Sequence, residues 1–332
     1  MAYMILCEKD LGKSEGLRWA HELPNVGSVR GLMTSTIEIP TADDHPVWGD
    51  LYLPTTGSAQ GIVLLCHGFK GYRTWGFLPY VAECLREAEI AALSLDMSFN
   101  GTLPLPDRAA RRGSGRAAPS RYVRPDLFEQ NTLAREHADI RHAVRFVTEG
   151  GLREHIGAPL LIGLFGHSRG AIAATLNAIE RPEVRALCTW SAIDDPDNFT
   201  PEQKQRWRRD GVYTFTESTG GKSLGIGLGY LDDLEENRDY YFMRDRVKEL
   251  RVPHLIVHGQ ADMTVPVECA FNLHGAEKQL RHKQLVVLHT GHTFGIPYPE
   301  PELLTRPSAA LLRATNETVA WFKTHLYGGR LT

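Results

Sequence analysis

Apolar residues along the chain fall into two kinds of segment, short continuous runs and longer stretches with helical spacing. The continuous runs are typical of strands buried on both faces, and they stand at 61–69, 90–97, 159–166, 184–193, 254–259 and 283–289. Amphipathic stretches alternate with them, at 75–90, 127–150, 169–180, 266–277 and around 307–326. This alternation predicts a mostly parallel sheet with helices on both faces.

Three regions depart from the alternation. Residues 36–40 and 47–54 alternate apolar and polar positions, which predicts a hairpin of edge strands. Residues 98–127 are rich in proline, glycine and arginine and are typical of a long surface loop. Residues 195–248 (the insertion) carry many aromatic residues and a glycine-rich stretch at 225–229. That stretch is expected to lack the parallel strand and following helix of a phosphate-binding loop, so we predict no nucleotide site there.

Composition narrows the class of protein without naming a chemistry. The chain has 332 residues, 42% hydrophobic and 23% charged, with a formal net charge of −3, so nucleic acid and anionic membranes are not expected partners. No apolar run approaches the roughly 20 residues of a membrane helix, and the first 35 residues lack the apolar core of a secretion signal. Five scattered cysteines form no CxxC pair, and Cys66, Cys84 and Cys188 are predicted to be reduced core thiols. We therefore expect a cytoplasmic protein, monomeric or homodimeric.

One cluster carries a specific chemical signal. Gly166, His167, Ser168, Arg169 and Gly170 spell G-x-S-x-G between a predicted strand and a predicted helix. In that context the motif is typical of a nucleophile elbow, a strained turn that presents a serine above the sheet. Glycines on either side of the turn remove the Cβ atoms that would collide there. We predict that Ser168 is a nucleophile.

A serine hydroxyl needs a base to take its proton as it attacks. His289 and His292 lie at the end of the last predicted strand, and His292 is on the loop beyond it. We predict that His292 is the base and that His289 ends the strand.

The base in turn needs a carboxylate to hold its tautomer. Asp262 follows a predicted strand, and the chain order Ser168, Asp262, His292 is the one expected of this arrangement. Four other aspartates also follow strands and are rival orienters: Asp96, Asp194, Asp195 and Asp197. Of these, the last three are expected to anchor the insertion.

A negatively charged oxygen in the transition state needs two preorganised donors. The Arg169 N–H, at a predicted helix N-terminus, is one candidate. The other is the Phe69 N–H in the loop after the strand that ends at Cys66, where Gly68 allows close approach of the backbone. His67 in the same loop is expected to brace it by a hydrogen bond.

From about residue 36 the chain resembles the α/β-hydrolase superfamily, and most closely its dienelactone-hydrolase-like and acyl-esterase branch. The likeness rests on four motifs in the order of that branch: HGFKGYRTWGFLPYVAE, FGHSRGAIA, VHGQADMTVPVE and HTGHTFG. It implies an eight-stranded sheet, an acyl-enzyme intermediate and no cofactor. Dienelactone hydrolases use a cysteine nucleophile, whereas this chain has Ser168, so the likeness favours a serine esterase.

The resemblance also implies a domain organisation. Residues 1–35 would be an N-terminal extension, 36–194 and 249–332 the α/β-hydrolase core, and 195–248 a cap after the sixth strand. Six aromatic residues of the cap are candidates to line a substrate pocket: Trp207, Tyr213, Phe215, Tyr240, Tyr241 and Phe242. No metal site is predicted, since His137 and His142 do not share a helix face.

The sequence thus predicts a serine hydrolase that cleaves small or medium carboxylic esters. A prolyl-oligopeptidase-like peptidase and an acyltransferase share the same three catalytic residues and stay open as alternatives. A binding protein that kept the fold without the chemistry is the alternative from another class. Labelling of Ser168 separates it from the enzymes.

Overall fold

A computed structural model describes residues 34–56, 59–102, 124–156, 160–215, 224–296 and 307–327. Its centre is an eight-stranded, mostly parallel sheet in the order β1-β2-β4-β3-β5-β6-β9-β10. The strands are β1 Thr34–Ile39, β2 Val47–Tyr52, β3 Gly61–Cys66, β4 Ala91–Asp96, β5 Leu161–His167, β6 Val184–Trp190, β9 His254–Gly259 and β10 Lys283–Leu288. Strands β1 and β2 form the antiparallel edge hairpin, and β2 is also antiparallel to β4. The six strands from β4 to β10 in that order pair in parallel. The predicted fold class is confirmed.

Burial explains why these segments form strands. All residues of β3, β4 and β9 are buried, as expected when helices cover both faces of a sheet. At the edge, β1 buries Ile37 and Ile39 and exposes Thr36 and Glu38, so that only one face meets the core.

Helices cover both faces of the sheet. They are α1 Leu78–Glu87, α2 Pro125–Glu129, α3 Leu133–Thr148, α4 Arg153–Ile156, α5 Gly170–Glu180, α6 Pro201–Asp210, α7 Leu228–Glu236, α8 Arg238–Tyr241, α9 Met243–Arg246, α10 Glu268–Ala276 and α11 Ala309–Tyr327. Helices α1 and α11 pack in one apolar cluster with the sheet, and α3, α4 and part of α5 pack on the other side.

The prediction of one helix over 127–150 is wrong. The segment divides into α2 and α3, because Thr132 caps α3: its hydroxyl accepts a hydrogen bond from the Arg135 N–H at 3.0 Å. The apolar face of α3 is as predicted, since Leu133, Ile140 and Val144 are all buried.

The insertion holds α6 to α9, a 3-10 helix at Val247–Glu249, and a two-stranded antiparallel hairpin of β7 Val212–Phe215 and β8 Leu224–Gly227. Contrary to expectation, a helix does follow the glycine-rich stretch, because α7 begins directly after β8. The preceding strand is short and antiparallel. Gly227 has a packing role: a Cβ there would lie 2.9 Å from the Glu129 carbonyl oxygen.

The insertion rests on the helix that follows the elbow. Its apolar side chains share one buried cluster with Ala171, Ile172 and Leu176 of α5. Cys66, Cys84 and Cys188 are buried free thiols, as predicted, and Cys7 lies outside the described residues. The helices of the described segments all fall short of the length and apolar character that crossing a membrane requires.

Candidate active site

Ser168 occupies the turn between β5 and α5 in a left-handed conformation, with φ of 54°. A non-glycine residue there is strained, as expected of a nucleophile elbow. The flanking glycines are sterically required. A Cβ at Gly166 would lie 2.6 Å from Cα of Ala171, and one at Gly170 would lie 2.1 Å from the carbonyl oxygen of His67.

Asp262 and His292 form a hydrogen-bonded pair at the carboxyl edge of the sheet. Nδ1 of His292 lies 2.8 Å from Oδ2 of Asp262, and the aspartate is fully buried while the imidazole is 16% exposed. Oδ1 of Asp262 accepts the Thr264 and Val265 N–H groups, each at 2.9 Å. Burial opposes ionisation of this carboxyl, but the His292 contact and the two N–H donors outweigh it and lower its pKa to about 2.

An ionised carboxylate can only accept a hydrogen bond, so the neutral His292 ring carries its proton on Nδ1. Its Nε2 then has a free lone pair, and within the described residues it has no hydrogen-bond partner. This is the state that a general base requires.

His167, the residue before the serine, links His292 to the elbow. Its Nε2 lies 3.2 Å from the His292 carbonyl oxygen, and the two rings are 4.8 Å apart between centroids. The carbonyl can only accept, so Nε2 of His167 is the donor. Burial holds the pKa of His167 well below its usual value, and its ring stacks on Trp75. The structure therefore brings His292 against His167, the residue that precedes Ser168, although no hydrogen bond joins the side chains of His292 and Ser168.

The two amides predicted to stabilise an oxyanion flank the serine. The loop after β3 touches the elbow closely: a Cβ at Gly68 would lie 3.0 Å from Cβ of Ser168. Among the described residues, neither the Phe69 N–H nor the Arg169 N–H has a hydrogen-bond partner. Both remain available to a ligand.

The other two histidines considered from the sequence, His67 and His289, do not join this pair. His67 is buried, its Nδ1 lies 2.8 Å from the Gly68 carbonyl oxygen, and its Nε2 accepts the Met97 N–H at 3.2 Å, so it braces its loop as predicted. His289 is exposed just past β10.

Each rival aspartate is bound elsewhere. Asp96 pairs with Arg73. The other three bind residues of the insertion: Asp194 binds Arg244, Asp195 binds Arg238, and Asp197 binds Lys204 and Arg238. Asp194 therefore anchors the insertion, as predicted, whereas Asp195 and Asp197 lie within the insertion and join its own segments.

The predicted pocket residues form a chain of rings that reaches Phe69 in the loop after β3. The Phe215 ring lies 4.6 Å from that of Phe69 and 5.0 Å from that of Tyr213. Tyr213 in turn lies 5.2 Å from Trp207. Phe215 and Tyr213 are half-buried, whereas Trp207 is 1% exposed and packs against Tyr230.

Tyr240, Tyr241 and Phe242 lie away from that chain. Tyr240 donates to Glu180, and Tyr241 Oη donates to Asp233 at 2.8 Å. Phe242 is half-buried between Arg238 and Arg244.

Two side chains near the site have roles that the sequence-based prediction did not assign. One is His167. The other is Glu136, which forms a buried ion pair with Arg169. Glu136 stands on the apolar face of α3, among Leu133 and Ile140, and a carboxylate on a buried stripe signals a buried partner. Within the described ranges, no group of three His, Cys, Asp or Glu side chains is placed to bind a metal ion.

No protein-family model matches the chain, and no curated protein matches it significantly. Several solved structures, however, are similar to it. Dienelactone hydrolase from Anabaena variabilis is similar over 88% of this chain and 98% of its own, at 21% identity and a TM-score of 0.52. An esterase domain from Rhodothermus marinus is similar over 88% and 99%, at 21% identity and a TM-score of 0.56.

A puromycin-hydrolysing peptidase from Mycobacterium tuberculosis is also similar, at 15% identity and a TM-score of 0.59. The similarity covers 89% of this chain but only 39% of the peptidase. At such identities the shared property is the arrangement of strands and helices. The chain has the α/β-hydrolase fold.

Proposed function

We propose that the protein is a serine hydrolase that cleaves carboxylic esters through an acyl-enzyme intermediate. The observation that carries the proposal is the 2.8 Å contact between His292 Nδ1 and the buried Asp262. The backbone carbonyl of His292 in turn accepts a hydrogen bond from His167, the residue before Ser168. That arrangement, together with the strained turn at Ser168, supports His292 as the base for a Ser168 nucleophile.

In the first half-reaction, Ser168 Oγ attacks the ester carbonyl carbon while His292 Nε2 takes the hydroxyl proton. The carbonyl electron pair moves to its oxygen, which accepts hydrogen bonds from the Phe69 and Arg169 amides. The tetrahedral intermediate collapses, the bond to the alcohol oxygen breaks, and His292 gives its proton to that oxygen. Water then repeats the sequence on the acyl-enzyme and releases the acid.

The absence of a Ser168–His292 hydrogen bond is compatible with this role, because catalytic hydrogen bonds are often long without substrate and shorten in the complex. Buried Asp262, ionised across the neutral pH range, would stabilise the imidazolium that forms during attack.

The insertion is proposed to be the cap of this site. The half-buried rings of Phe69, Tyr213 and Phe215 support an ester with an apolar acyl or alcohol group. Trp207 would act from behind them by supporting Tyr213.

The test compares wild type with Ser168→Ala on p-nitrophenyl esters from acetate to octanoate. Ser191→Ala is the matched control, since Ser191 is also a serine at positive φ directly after a parallel strand, but it is fully buried. We expect ester turnover in wild type and Ser191→Ala and none in Ser168→Ala. Turnover that survives in Ser168→Ala would contradict the assignment.

Three further measurements separate the alternatives. A fluorophosphonate probe followed by mass spectrometry should modify wild type at Ser168; no modification would favour a binding protein. The similarity to a peptidase motivates an aminoacyl p-nitroanilide as a second substrate. Adding an alcohol acceptor and analysing products would show whether the acyl group goes to water, as we expect, or to the acceptor.

A further inference from the structure

The side chain of Arg169 is buried beneath the proposed oxyanion site. Only 6% of the residue is exposed, and its guanidinium pairs with Glu136 on α3. Glu136 is itself held by the Asn131 side-chain amide at 2.8 Å. A buried ion pair of this kind fixes the guanidinium in position, because moving it away would leave a carboxylate unpaired in the core.

The same guanidinium lies between two aromatic rings. Its central carbon is 4.2 Å from the centroid of the Phe69 ring and 5.3 Å from that of Tyr230. Phe69 belongs to the loop after β3, and Tyr230 belongs to α7 of the insertion. The residue that supplies one proposed donor therefore contacts, through its side chain, the residue that supplies the other.

We propose that the Arg169 guanidinium is a positioning group that sets the separation of the Phe69 and Arg169 amides. The inference rests on the proposed function, and it adds that the two donors are fixed to each other directly. Each amide belongs to a different loop, and an oxyanion hole works only when both donors are held at the place where charge develops. The Arg169–Phe69 stack joins these loops, and the Glu136 pair holds the stack to α3.

This geometry asks for arginine in particular. A guanidinium is flat, so it can cover a ring with its face while its edge donates to a carboxylate. An ammonium can pair with Glu136 but cannot stack on Phe69 in this way. Arg169→Lys should therefore keep the charge and lose the alignment.

Two variants test the proposal. Arg169→Lys removes the stack on Phe69. Arg169→Met with Glu136→Gln removes both the stack and the ion pair, together called the clamp, without leaving a buried charge unpaired. The control is Arg135→Met with Asp139→Asn. Arg135 lies one position before Glu136 on α3, contacts buried Asp139 at 3.4 Å, and covers the Phe99 ring at 4.2 Å, but it touches neither donor.

The measurements are kcat and KM for a p-nitrophenyl ester and the inhibition constant of an alkyl boronic acid. The boronic acid adds to the serine to form a tetrahedral anion that mimics the transition state. We expect both Arg169 variants to lose about 10- to 100-fold in kcat and in boronic acid affinity, with KM within about threefold, because a misplaced donor weakens mainly the transition state. The control should keep both values within about twofold.

Several results would overturn the proposal. Folded Arg169 variants with wild-type kcat would do so, as would a rise in KM alone, full activity of Arg169→Lys, or an equal loss in the control. If wild type itself neither turns over esters nor reacts with the fluorophosphonate, the proposed function fails and the inference fails with it. Wild-type activity with insensitive Arg169 variants overturns only the clamp.

Discussion

The carboxyl edge of the sheet carries two clusters in which a histidine lies near an aspartate. In the first, beyond β3 and β4, Asn100 bridges His67 and Asp96, with its amide 3.1 Å from Asp96 and 3.5 Å from His67. In the second, His292 contacts Asp262 directly. From the sequence alone the two look alike, since each follows a strand on the side where ligands bind in such sheets.

Hydrogen-bond occupancy distinguishes the two clusters. Both ring nitrogens of His67 are occupied, by the Gly68 carbonyl and the Met97 N–H, and burial lowers its pKa. His292 has one occupied nitrogen and a partly exposed ring. A histidine whose two ring nitrogens both have hydrogen-bond partners (here called saturated) braces a loop. One with a single partner (half-saturated) has a free nitrogen that can exchange a proton. The predictions below test this difference.

The largest expected effect is on the half-saturated histidine. His292→Asn should lower kcat/KM for a p-nitrophenyl ester by more than about 10³-fold, because the serine loses its base. The thermal midpoint should change little, since the ring is partly exposed and the asparagine amide can still donate a hydrogen bond to Asp262. Activity within tenfold of wild type would mean that another group takes the proton.

Asp262→Asn should have the next largest effect, a loss on the order of 10²–10⁴-fold in kcat/KM. An amide can donate to the imidazole and so stabilise the wrong tautomer. Asp96→Asn is the comparison from the first cluster. It should lower stability and keep kcat/KM within about tenfold, since Asp96 pairs with Arg73 and not with the base.

His67→Asn should act on stability more than on turnover. It leaves the Met97 N–H and the Gly68 carbonyl without their partner, at a cost of about 1–3 kcal/mol in the free energy of unfolding. Urea titration measures this cost. A kcat/KM loss comparable to that of His292→Asn would remove the distinction between the two clusters.

The contribution of the Asp262 contacts to the stability of the protein should depend on pH in the acid range. Folding lowers the pKa of this carboxyl from 3.8 to about 2, so the native state binds fewer protons than the unfolded state between those values. The stability it contributes is fully present above pH 3.8 and is lost as pH falls towards 2. The difference in thermal midpoint between wild type and Asp262→Asn should therefore shrink over that window. A difference independent of pH would contradict the assignment.

The smallest effect is expected beside the same aspartate. Met263 follows Asp262 in the chain but is 94% exposed. Met263→Ser should leave the free energy of unfolding within about 0.5 kcal/mol and kcat within about twofold. A larger drop in kcat with long-chain esters would show that the side chain contacts the substrate.

The alternating pattern of buried runs was enough to predict the sheet, and the G-x-S-x-G motif was enough to locate the elbow. Both signals are local. A short continuous apolar run is typical of a strand buried on both faces, and any residue larger than glycine at 166 or 170 would collide with backbone atoms near the turn. The order of Ser168, Asp262 and His292 completed the predicted set.

Long-range pairing could not be predicted in the same way. Glu136 and Arg169 are 33 positions apart, and Arg73 and Asp96 are 23 apart. Several arginines and carboxylates were equally plausible partners, and only tertiary packing decides between them. The break before α3 does have a local signal, the Thr132 cap. It was missed because the helical spacing of apolar residues runs on across it.

The contact between Phe215 and Phe69 bears on how this protein could be engineered. Replacing the insertion with one from another scaffold would treat it as an exchangeable module. Here the Phe215 ring of the insertion packs against Phe69, one of the two proposed oxyanion donors, and Tyr230 packs against Arg169, the other. A transplanted insertion would therefore need to supply an aromatic side chain at both places, or the graft would alter reactivity together with selectivity.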